Sequence, residues 1–294
     1  MKQSSLRRPK DCLDKYDLLK SGMSTTTGES ASVSNVTYLS PPAPVHMVDE
    51  WFKIASITHF WIKRRFEVLR KIGRNLDFST AKIGEIGCGH GMLQIQFEKY
   101  VGAKVDGFDL NDLALRESLA KNLPRFCYNI FDRNPQMEGR YDYLILFDVI
   151  EHIEKEKEFL EAVLYHLKPG GYLLINVPAL MSLFSIYDTV AGHQRRYTLK
   201  SLEEICDDVN LQNVAATYWG LPLVPILLLR RIWLSGRTDP QQVVQTGFKP
   251  PGCFANWFLG FISTLEPIPQ RWMGTSVMAI YRKPIKSSPD RPPQ

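Results

Sequence analysis

The stretch AKIGEIGCGHG, residues 81–91, decides how the rest of the chain is arranged. Its apolar first half predicts a short buried strand, its glycines predict a sharp turn, and Met92 to Tyr100 predicts a helix. Glycines at every second position let the main chain turn tightly and let a ligand approach it closely. The free N–H groups at the start of the helix suit a carboxylate or a phosphate.

Two details of this turn argue against a dinucleotide site. The spacing is Gly-x-Gly-x-Gly (Gly87, Gly89 and Gly91), whereas the dinucleotide fingerprint is Gly-x-Gly-x-x-Gly. In addition, Glu85 stands two residues before the first glycine. Its carboxylate would repel a pyrophosphate and attract an ammonium group. A nicotinamide-dependent oxidoreductase is therefore disfavoured.

Strand and helix patterns alternate through the middle of the chain, where Asp112–Asn122 predicts one of the helices, and Ser276–Arg282 predicts a final strand. The apolar runs Tyr143–Phe147 and Leu173–Val177 are typical of parallel strands buried on both faces. We predict an α/β fold with a doubly wound, mostly parallel seven-stranded sheet and helical insertions. Ligands of such sheets bind beyond the carboxyl ends of the strands. The acids at or near those ends are Glu85, Asp109, Asp132 and Asp148.

Five landmarks in this order resemble those of class I S-adenosylmethionine-dependent methyltransferases, which have a Rossmann-like fold. They are the glycine stretch, Val105–Asp109, Tyr128–Asp132, Tyr143–His152 with its DVIEH ending, and Leu167–Ile175 with its Lys-Pro-Gly-Gly turn. The sequence is most similar to the branch that contains ubiquinone-pathway O-methyltransferases and uncharacterised bacterial relatives. The resemblance implies an enzyme that uses S-adenosyl-L-methionine.

The resemblance also implies which residues hold the cofactor. Glu85 would lie near the amino group of the methionine moiety, and Asp109 would accept hydrogen bonds from the ribose hydroxyls. Asp132 would frame the adenine, and Phe147 would line the path beside the sulfonium. The expected cofactor-binding residues are Glu85, Gly87, Cys88, Gly89, Asp109, Leu110, Asp132 and Phe147.

Two histidines compete for the proton that a hydroxyl or amine acceptor must lose. His152 follows the fourth strand beside the expected methyl group. In ubiquinone-pathway enzymes this loop resembles a divalent-metal site, which here would be Asp148, Glu151 and His152. Asp148 is one methylene shorter than the glutamate usual there, so a metal is not predicted. Alternatively, Glu151 and His152 cap the helix that follows.

The second histidine, His193, opens a segment that in this branch reaches over the acceptor side. A histidine, two arginines and a tyrosine together suit an anionic or phosphate-bearing acceptor. We therefore expect His193 to be the base or to orient the acceptor. We expect Arg195, Arg196 and Tyr197 to contact it. The alternative is a solvated loop before a helix that Thr198 caps.

Composition sets only broad bounds on partners and location. The net charge of +5 is mild, and no basic stripe with interleaved aromatic residues occurs beyond Phe60–Arg65, so we expect no nucleic-acid partner. The five cysteines are scattered without a Cys-x-x-Cys pair, which fits neither a disulfide framework nor a zinc site. We expect a cytoplasmic protein without a signal peptide, with membrane association left open.

We divide the chain into a flexible tail, a methyltransferase domain and a disordered end, at residues 1–45, 46–284 and 285–294. Within the domain we expect cap helices at 46–78, a cofactor core at 79–178, and acceptor-side insertions at 179–197 and 219–270. The basic, amphipathic stretch His59–Ile72 resembles the segment that caps the cofactor pocket in this branch. There, Arg64 or Arg65 would face the methionine carboxylate.

The apolar run at 221–234 contains two prolines and is too short to span a bilayer. It predicts a lid, a dimer-facing helix, or an in-plane membrane contact with Arg230, Arg231 and Trp233 at the headgroup level. The sequence does not decide the oligomeric state.

The leading hypothesis is a methyltransferase that acts by in-line displacement, with oxygen of a small-molecule, glycan or lipid-like acceptor as the target. A non-catalytic cofactor-binding or scaffold protein is the alternative, because fold and cofactor binding do not establish turnover. A base methyltransferase is disfavoured because the Asn/Asp-Pro-Pro-Tyr motif is missing after the fourth strand.

Overall fold

The computed structural model of the protein describes residues 36–44, 56–234 and 252–285. Several expectations fall wholly or partly outside these residues. They concern the tail at 1–35, the first cap helix around 45–55, the middle of the second insertion at 235–251, and the end of the chain at 286–294.

The described residues form one eight-stranded sheet with the strand order β1-β4-β3-β2-β5-β6-β8-β7. The strands are β1 (Val36–Tyr38), β2 (Ile83–Ile86), β3 (Val105–Asp109), β4 (Arg125–Cys127), β5 (Tyr141–Phe147), β6 (Leu167–Pro178), β7 (Gln212–Trp219) and β8 (Ser276–Arg282). All neighbours pair in parallel except β8, which is antiparallel to both β6 and β7. The predicted doubly wound, mostly parallel sheet is confirmed.

Helices connect these strands. They are α1 (Phe60–Ile72), α2 (Met92–Val101), α3 (Asp112–Arg116), α4 (Glu156–His166), α5 (Ile186–Val190), α6 (Leu199–Asp207), α7 (Val224–Leu234) and α8 (Cys253–Ser263). Local sequence explains several of their ends. His59 caps α1 by accepting a hydrogen bond from the N–H of Trp61, and Thr198 caps α6 in a capping box with Ser201. Gly102 ends α2 in the left-handed region.

Two details of the predicted fold need correction. The sheet has eight strands, because Val36–Tyr38 pairs in parallel with β4 at the edge. The expected tail 1–45 is therefore held against the sheet over this part. Helix α3 covers only Asp112–Arg116, whereas the pattern predicted a helix to Asn122. The second of the expected cap helices corresponds to α1, and the first lies outside the described residues.

The site is positioned by the reversal of strand order at β2. The chain runs outward from β2 to β3 and β4, and then returns to β5 on the other side of β2. The carboxyl ends of β2 and β5 therefore border the crevice where doubly wound folds bind ligands. Both strands are almost wholly buried, so the residues that follow them are carried on a rigid base.

Helices α7 and α8 close the opposite side of this crevice. Helix α8 is joined to the start of α1, because Asn256 accepts a hydrogen bond from the N–H of Phe60 at 2.9 Å. The carboxylate of Glu266 accepts hydrogen bonds from Arg64 at 3.2 Å and from the N–H of Gly220 at 2.9 Å. These bonds connect the inserted segments to the cap helix and the sheet.

Candidate functional site

A cavity of about 440 Å³ opens at the carboxyl ends of β2 and β5. It is lined by the start of α1, the glycine turn after β2, the 3-10 turn Ile150–His152, α5, the 191–196 segment, α7 and α8. One end of the cavity is therefore built from the strand ends and the other from the insertions. We call these the cofactor end and the acceptor end.

The glycine turn closes tightly at the cofactor end. Gly87 has φ +75°, and a Cβ on it would lie 2.5 Å from a methyl carbon of Val149. The N–H groups of Gly87 and Cys88 both donate to the carbonyl of Phe108, at 2.8 and 3.0 Å. The N–H of Gly89 donates to the Asp109 carboxylate at 2.7 Å. Only glycine fits the first position, and β3 holds the turn in place.

Glu85 is the most exceptional carboxyl group of the cofactor end. Its side chain lines the cavity although the residue is only 4% exposed, and its Oε2 atom has no hydrogen-bond partner. Burial raises its pKa to about 8, with the charge of Arg65 opposing the rise and that of Asp109 adding to it. A buried acceptor without a donor is costly, so this atom is suited to an ammonium group of a ligand.

The other acids expected at the cofactor lie beside the cavity instead of lining it. The two carboxylate oxygens of Asp109 accept from the N–H groups of Gly89 and Asn111, at 2.7 and 2.9 Å. Burial raises the pKa of Asp109, and these main-chain bonds oppose the rise. Asp132 is exposed and accepts from the hydroxyl of Ser40 at 2.5 Å. Leu110 lies next to Asp109, where its carbonyl accepts from Ala43. Their contacts with ribose and adenine stay predictions.

Arg65 and Phe147 line the cavity together. The guanidinium of Arg65 lies 5.0 Å from the centre of the Phe147 ring and donates to Asp148 at 2.6 Å. Asp148 has φ +58° and also accepts from Asn176 at 2.7 Å. Of the two arginines expected near the methionine carboxylate, Arg65 lines the cavity, whereas Arg64 is paired with Glu266 outside it.

His193 lies at the acceptor end with a carboxylate behind it. Its Nδ1 atom is 2.9 Å from Asp188, and its Nε2 atom is 3.9 Å from Glu151. Asp188 also accepts from Arg196 at 2.7 and 2.9 Å and closes the capping box of α5 with Ser185. Burial opposes ionisation of Asp188, but His193 and Arg196 outweigh it, so its pKa is lowered. An ionised Asp188 fixes the ring so that its Nε2 atom is left to take a proton.

His152 lies beside His193, with ring centres 4.8 Å apart, and its Nδ1 atom is 3.1 Å from the carbonyl of Gly192. Side-chain atoms of Glu151, His152 and His193 lie within 4.8 Å of one another and could hold a metal ion. Both carboxylate oxygens of Glu151 are buried without a hydrogen-bond partner, so they fit such an ion. Burial raises the pKa of Glu151 well above its usual value.

The metal set that the resemblance implied does not converge. Asp148 is engaged by Arg65 and Asn176, and His193 takes its place beside Glu151 and His152. An ion held there would polarise the acceptor oxygen. The sequence left a divalent metal possible at Asp148, Glu151 and His152 without predicting one.

The structure separates the three expected acceptor contacts. Arg196 lines the cavity, but Asp188 neutralises its charge. Arg195 pairs with Glu156, and the hydroxyl of Tyr197 donates to the same carboxylate at 2.6 Å. Neither Arg195 nor Tyr197 lines the cavity. Both side chains hold the 193–197 segment against α4 and thereby stabilise the acceptor end without contacting the cavity.

Helix α7 bears on the three interpretations of the run at 221–234. In the membrane-contact interpretation Arg230 and Arg231 would lie at the lipid headgroup level, whereas in the structure both side chains contact other parts of the protein. Arg230 lines the cavity with its guanidinium 4.1 Å from the centre of the Tyr187 ring. Arg231 donates to the carbonyl of Ser182. Apart from Arg231, the exposed side chains of α7 are apolar, as at Ile232 and Trp233.

Comparison with known families agrees with this geometry. A family model described as "Methyltransferase domain" matches residues 60–216, which is more than half of the chain. The chain belongs to the methyltransferase domain family. The match contains the glycine turn, Glu85 of β2, Asp109 of β3, and His193. The class I S-adenosylmethionine-dependent fold that the five landmarks implied is confirmed.

Two curated relatives of this methyltransferase domain are named for different acceptor atoms. The mitochondrial ubiquinone biosynthesis O-methyltransferase of Schizosaccharomyces pombe is 23% identical over 163 residues, 52% of this chain and 58% of the relative. Phosphoethanolamine N-methyltransferase 2 of Caenorhabditis elegans is 28% identical over 170 residues, 55% of this chain and 38% of the relative. The chain thus spans less than two thirds of the relatives it matches.

Among solved structures, the methyltransferase domain is similar to a Galdieria sulphuraria protein assigned as a sarcosine dimethylglycine methyltransferase. The TM-score is 0.51 and the identity 15%, over 76% of this chain and 86% of the other. At this identity the similarity shows the fold alone.

Sequence reasoning missed two residues of the methyltransferase domain's acceptor end. Asp188 occurs in Ser185-x-x-Asp188, a spacing that predicts a helix start and does not reveal a partner for His193. Arg230 occurs in a run that is apolar on both its exposed side and its cavity-facing side, so the sequence does not show which side faces the cavity. Only the three-dimensional packing of α7 against α5 reveals it.

Proposed function

We propose that this chain transfers the methyl group of S-adenosyl-L-methionine to a hydroxyl oxygen of a small or lipid-like acceptor. The observation that carries the proposal is Glu85, a buried cavity-facing carboxyl with a partnerless oxygen beside the glycine turn. An ammonium group satisfies that oxygen, and the methionine moiety supplies one. The turn itself lets that moiety lie against the main chain.

The chemistry at the acceptor end is a displacement coupled to loss of one proton. The acceptor oxygen forms a bond to the methyl carbon as the bond from that carbon to sulfur breaks, and the sulfonium becomes the neutral thioether of S-adenosylhomocysteine. The hydroxyl proton passes to the Nε2 atom of His193. Asp188 stabilises the imidazolium that results. Positioning and exclusion of water supply the rest of the rate.

Oxygen is proposed as the acceptor atom because the Schizosaccharomyces pombe relative is named as an O-methyltransferase. The pair of His193 and Asp188 is compatible with this choice, since it provides the base that a hydroxyl needs. The Caenorhabditis elegans relative is named as an N-methyltransferase, so a nitrogen acceptor is the competing outcome.

We propose that the acceptor is reached at a lipid surface bearing negative charge. Within the described residues no helix is both long and apolar enough to cross a membrane. However, α8 exposes a face of large side chains that adjoins the cavity through Leu259. Phe254 and Trp257 are 78% and 63% exposed, and Arg271 beside the exposed Trp272 adds positive charge. Aromatic side chains and arginine suit an anionic membrane surface.

Sedimentation with vesicles tests the membrane part of the proposal. The protein is expected to bind vesicles that contain an anionic lipid more strongly than neutral ones. Trp257→Ser combined with Phe254→Ser is expected to abolish binding, whereas Leu119→Ser, at an exposed position away from α8, is expected to have no effect. Absence of vesicle binding would overturn the membrane part of the proposal. Concentration-dependent dimers in light scattering that form through α8 would also overturn it.

An acceptor screen tests the reaction. Formation of S-adenosylhomocysteine is measured with phenols, glycans and lipids that carry either a hydroxyl or a matched amine. Transfer to oxygen supports the proposal, and transfer confined to nitrogen contradicts it. Binding of S-adenosylhomocysteine without turnover of any acceptor would favour a cofactor-binding protein that is not catalytic.

A further inference from the structure

The charged side chains at the cavity show an imbalance at the acceptor end. Arg65 is neutralised by Asp148 at 2.6 Å and Arg196 by Asp188 at 2.7 Å. The carboxylate of Glu151 faces His193, with 3.9 Å between its oxygen and the Nε2 atom of the ring, and it forms no salt bridge with Arg230. The guanidinium of Arg230 is the cavity cation left without a salt bridge to a carboxylate in residues 36–44, 56–234 and 252–285.

The surroundings of Arg230 make this charge accessible to a ligand. Its guanidinium packs on the face of Tyr187 and interacts with the Tyr187 hydroxyl. Burial lowers the pKa of Arg230, with the charge of Arg196 acting in the same direction and Tyr187 and Asp188 opposing the change. A desolvated arginine that lacks a counter-ion is energetically costly, and an anionic ligand group offsets that cost.

Apolar side chains continue the cavity around this cation. Leu223, Ile226 and Leu227 come from the same segment as Arg230, and Leu259 comes from α8. Tyr187 also lines the cavity, and burial raises the pKa of its hydroxyl to about 12, so the hydroxyl stays protonated and can donate. Arginine offers paired N–H donors that match the oxygens of a carboxylate or a phosphate.

We infer that Arg230 is a specificity-determining residue that binds an acidic group on the methyl acceptor. The acceptor class is therefore an amphipathic anion with an apolar portion against α7 and α8 and a carboxylate or phosphate against Arg230 and Tyr187. This inference deepens the proposed function and rests on it. Arg230 takes the role of anion contact that the sequence suggested for Arg195 and Tyr197, because both of these side chains bind Glu156 in the structure.

Calorimetry with three eight-carbon probes tests the inference. Octanoate, octyl phosphate and octanol are titrated into the full chain saturated with S-adenosylhomocysteine. At least one anion is expected to bind about tenfold or more tightly than octanol, since hydrogen bonds to a charged group contribute about that much. Which anion binds better distinguishes a carboxylate acceptor from a phosphate acceptor. Equal binding of all three probes would overturn the inference without any variant being needed.

Variants then locate the effect. Arg230→Gln is expected to remove the preference for the anion and to leave octanol and S-adenosylhomocysteine binding unchanged. Arg230→Lys keeps the charge and is expected to retain part of the preference. Arg231→Gln is the matched control, because Arg231 donates to Ser182 instead of lining the cavity. An unchanged preference in a folded Arg230→Gln protein contradicts the assignment. If S-adenosylhomocysteine does not bind, the proposed function fails. The comparison of the three probes is then made in the absence of S-adenosylhomocysteine, and it still decides the role of Arg230.

Discussion

The two ends of the cavity are built by different means. At the cofactor end, main-chain groups and strand-end acids are fixed by the sheet, as in the N–H of Gly89 bonded to Asp109. At the acceptor end, side chains from separate insertions meet, as in Tyr187 of α5 packed against Arg230 of α7. Main-chain geometry follows local sequence closely, whereas meetings of side chains depend on how whole helices pack. The geometry of the cofactor end can consequently be predicted from the sequence, whereas that of the acceptor end cannot.

The largest expected effect separates the two histidines of the acceptor end. His193→Ala is expected to reduce kcat by about a hundredfold or more, because a positioned base contributes about that much. His152→Ala is expected to cost less than about tenfold, because the Nδ1 atom of His152 faces the Gly192 carbonyl. The kcat of each variant and of the wild-type protein is measured with an acceptor that the screen identifies.

Binding of S-adenosylhomocysteine is the control for these two variants, and it is expected to be unchanged in each. Full turnover in both variants would remove histidine from the mechanism. A larger loss in His152→Ala would move the base to the other ring.

The next effect probes the main-chain construction of the cofactor end. Gly87→Ala is expected to weaken S-adenosylhomocysteine binding by about tenfold or more, since the new Cβ meets Val149 at 2.5 Å. Gly102→Ala is a matched control with the same φ of +75° and no heavy atom within 4 Å of the added carbon. Both changes carry the strain of a left-handed alanine, about 1 kcal/mol. Denaturant unfolding and calorimetry compare them.

If Gly87→Ala and Gly102→Ala bound S-adenosylhomocysteine equally well, crowding at the turn would not govern the cofactor end. Equal losses of unfolding free energy would lead to the same conclusion.

The pH dependence of binding tests Glu85. Its pKa is raised to about 8 in the free protein, so the carboxyl must lose a proton to accept an ammonium group. Affinity for S-adenosylhomocysteine is expected to rise about tenfold per pH unit between pH 6 and pH 7.5, with close to one proton released. Calorimetry in buffers of different ionisation enthalpy measures both. Glu85→Gln is expected to bind more weakly and without this slope.

The same shift has the opposite sign for the stability of the free protein. The folded protein binds more protons than the unfolded chain between the ordinary carboxyl value of 4.5 and about 8. The free energy of unfolding therefore falls as the pH rises through that window. Glu85→Gln is expected to lack this fall. If the unfolding free energy of Glu85→Gln fell with pH as steeply as that of the wild-type protein, a group other than Glu85 would bind the proton.

The smallest expected effect concerns a metal at Glu151, His152 and His193. Treatment with a chelator is expected to change the initial rate by less than about twofold, since His193 is already oriented by Asp188. Re-addition of Mg²⁺ or Zn²⁺ is the control. A large loss that one of these ions restores would make the cluster a metal site and the histidines its ligands.

What could be predicted from sequence follows the same division. The strand after Ala81, the turn at Gly87 and the final strand Ser276–Arg282 were predicted because period, glycine spacing and strand-end acids are local signals. The edge strand at Val36–Tyr38 was not, because a short strand beside β4 gains its stability from the sheet instead of from its own pattern.

Residues of the acceptor end were only partly predicted. His193 lies in the cavity as expected, and Arg196 reaches it, but Arg195 and Tyr197 bind Glu156 outside it. The pairing of charges decides these roles, and a run of basic residues does not show which carboxylate each will meet. Arg230 is placed by helix packing alone, which no periodicity within the apolar run at 221–234 encodes.

Titration of the full chain with S-adenosylhomocysteine, with a nicotinamide dinucleotide as the parallel control, tests the cofactor assignment most directly. We predict binding with a Kd on the order of micromolar. It should be lost in Asp109→Ala, because this carboxylate holds the N–H of Gly89 and with it the glycine turn. Tight dinucleotide binding without any response to S-adenosylhomocysteine would contradict the assignment.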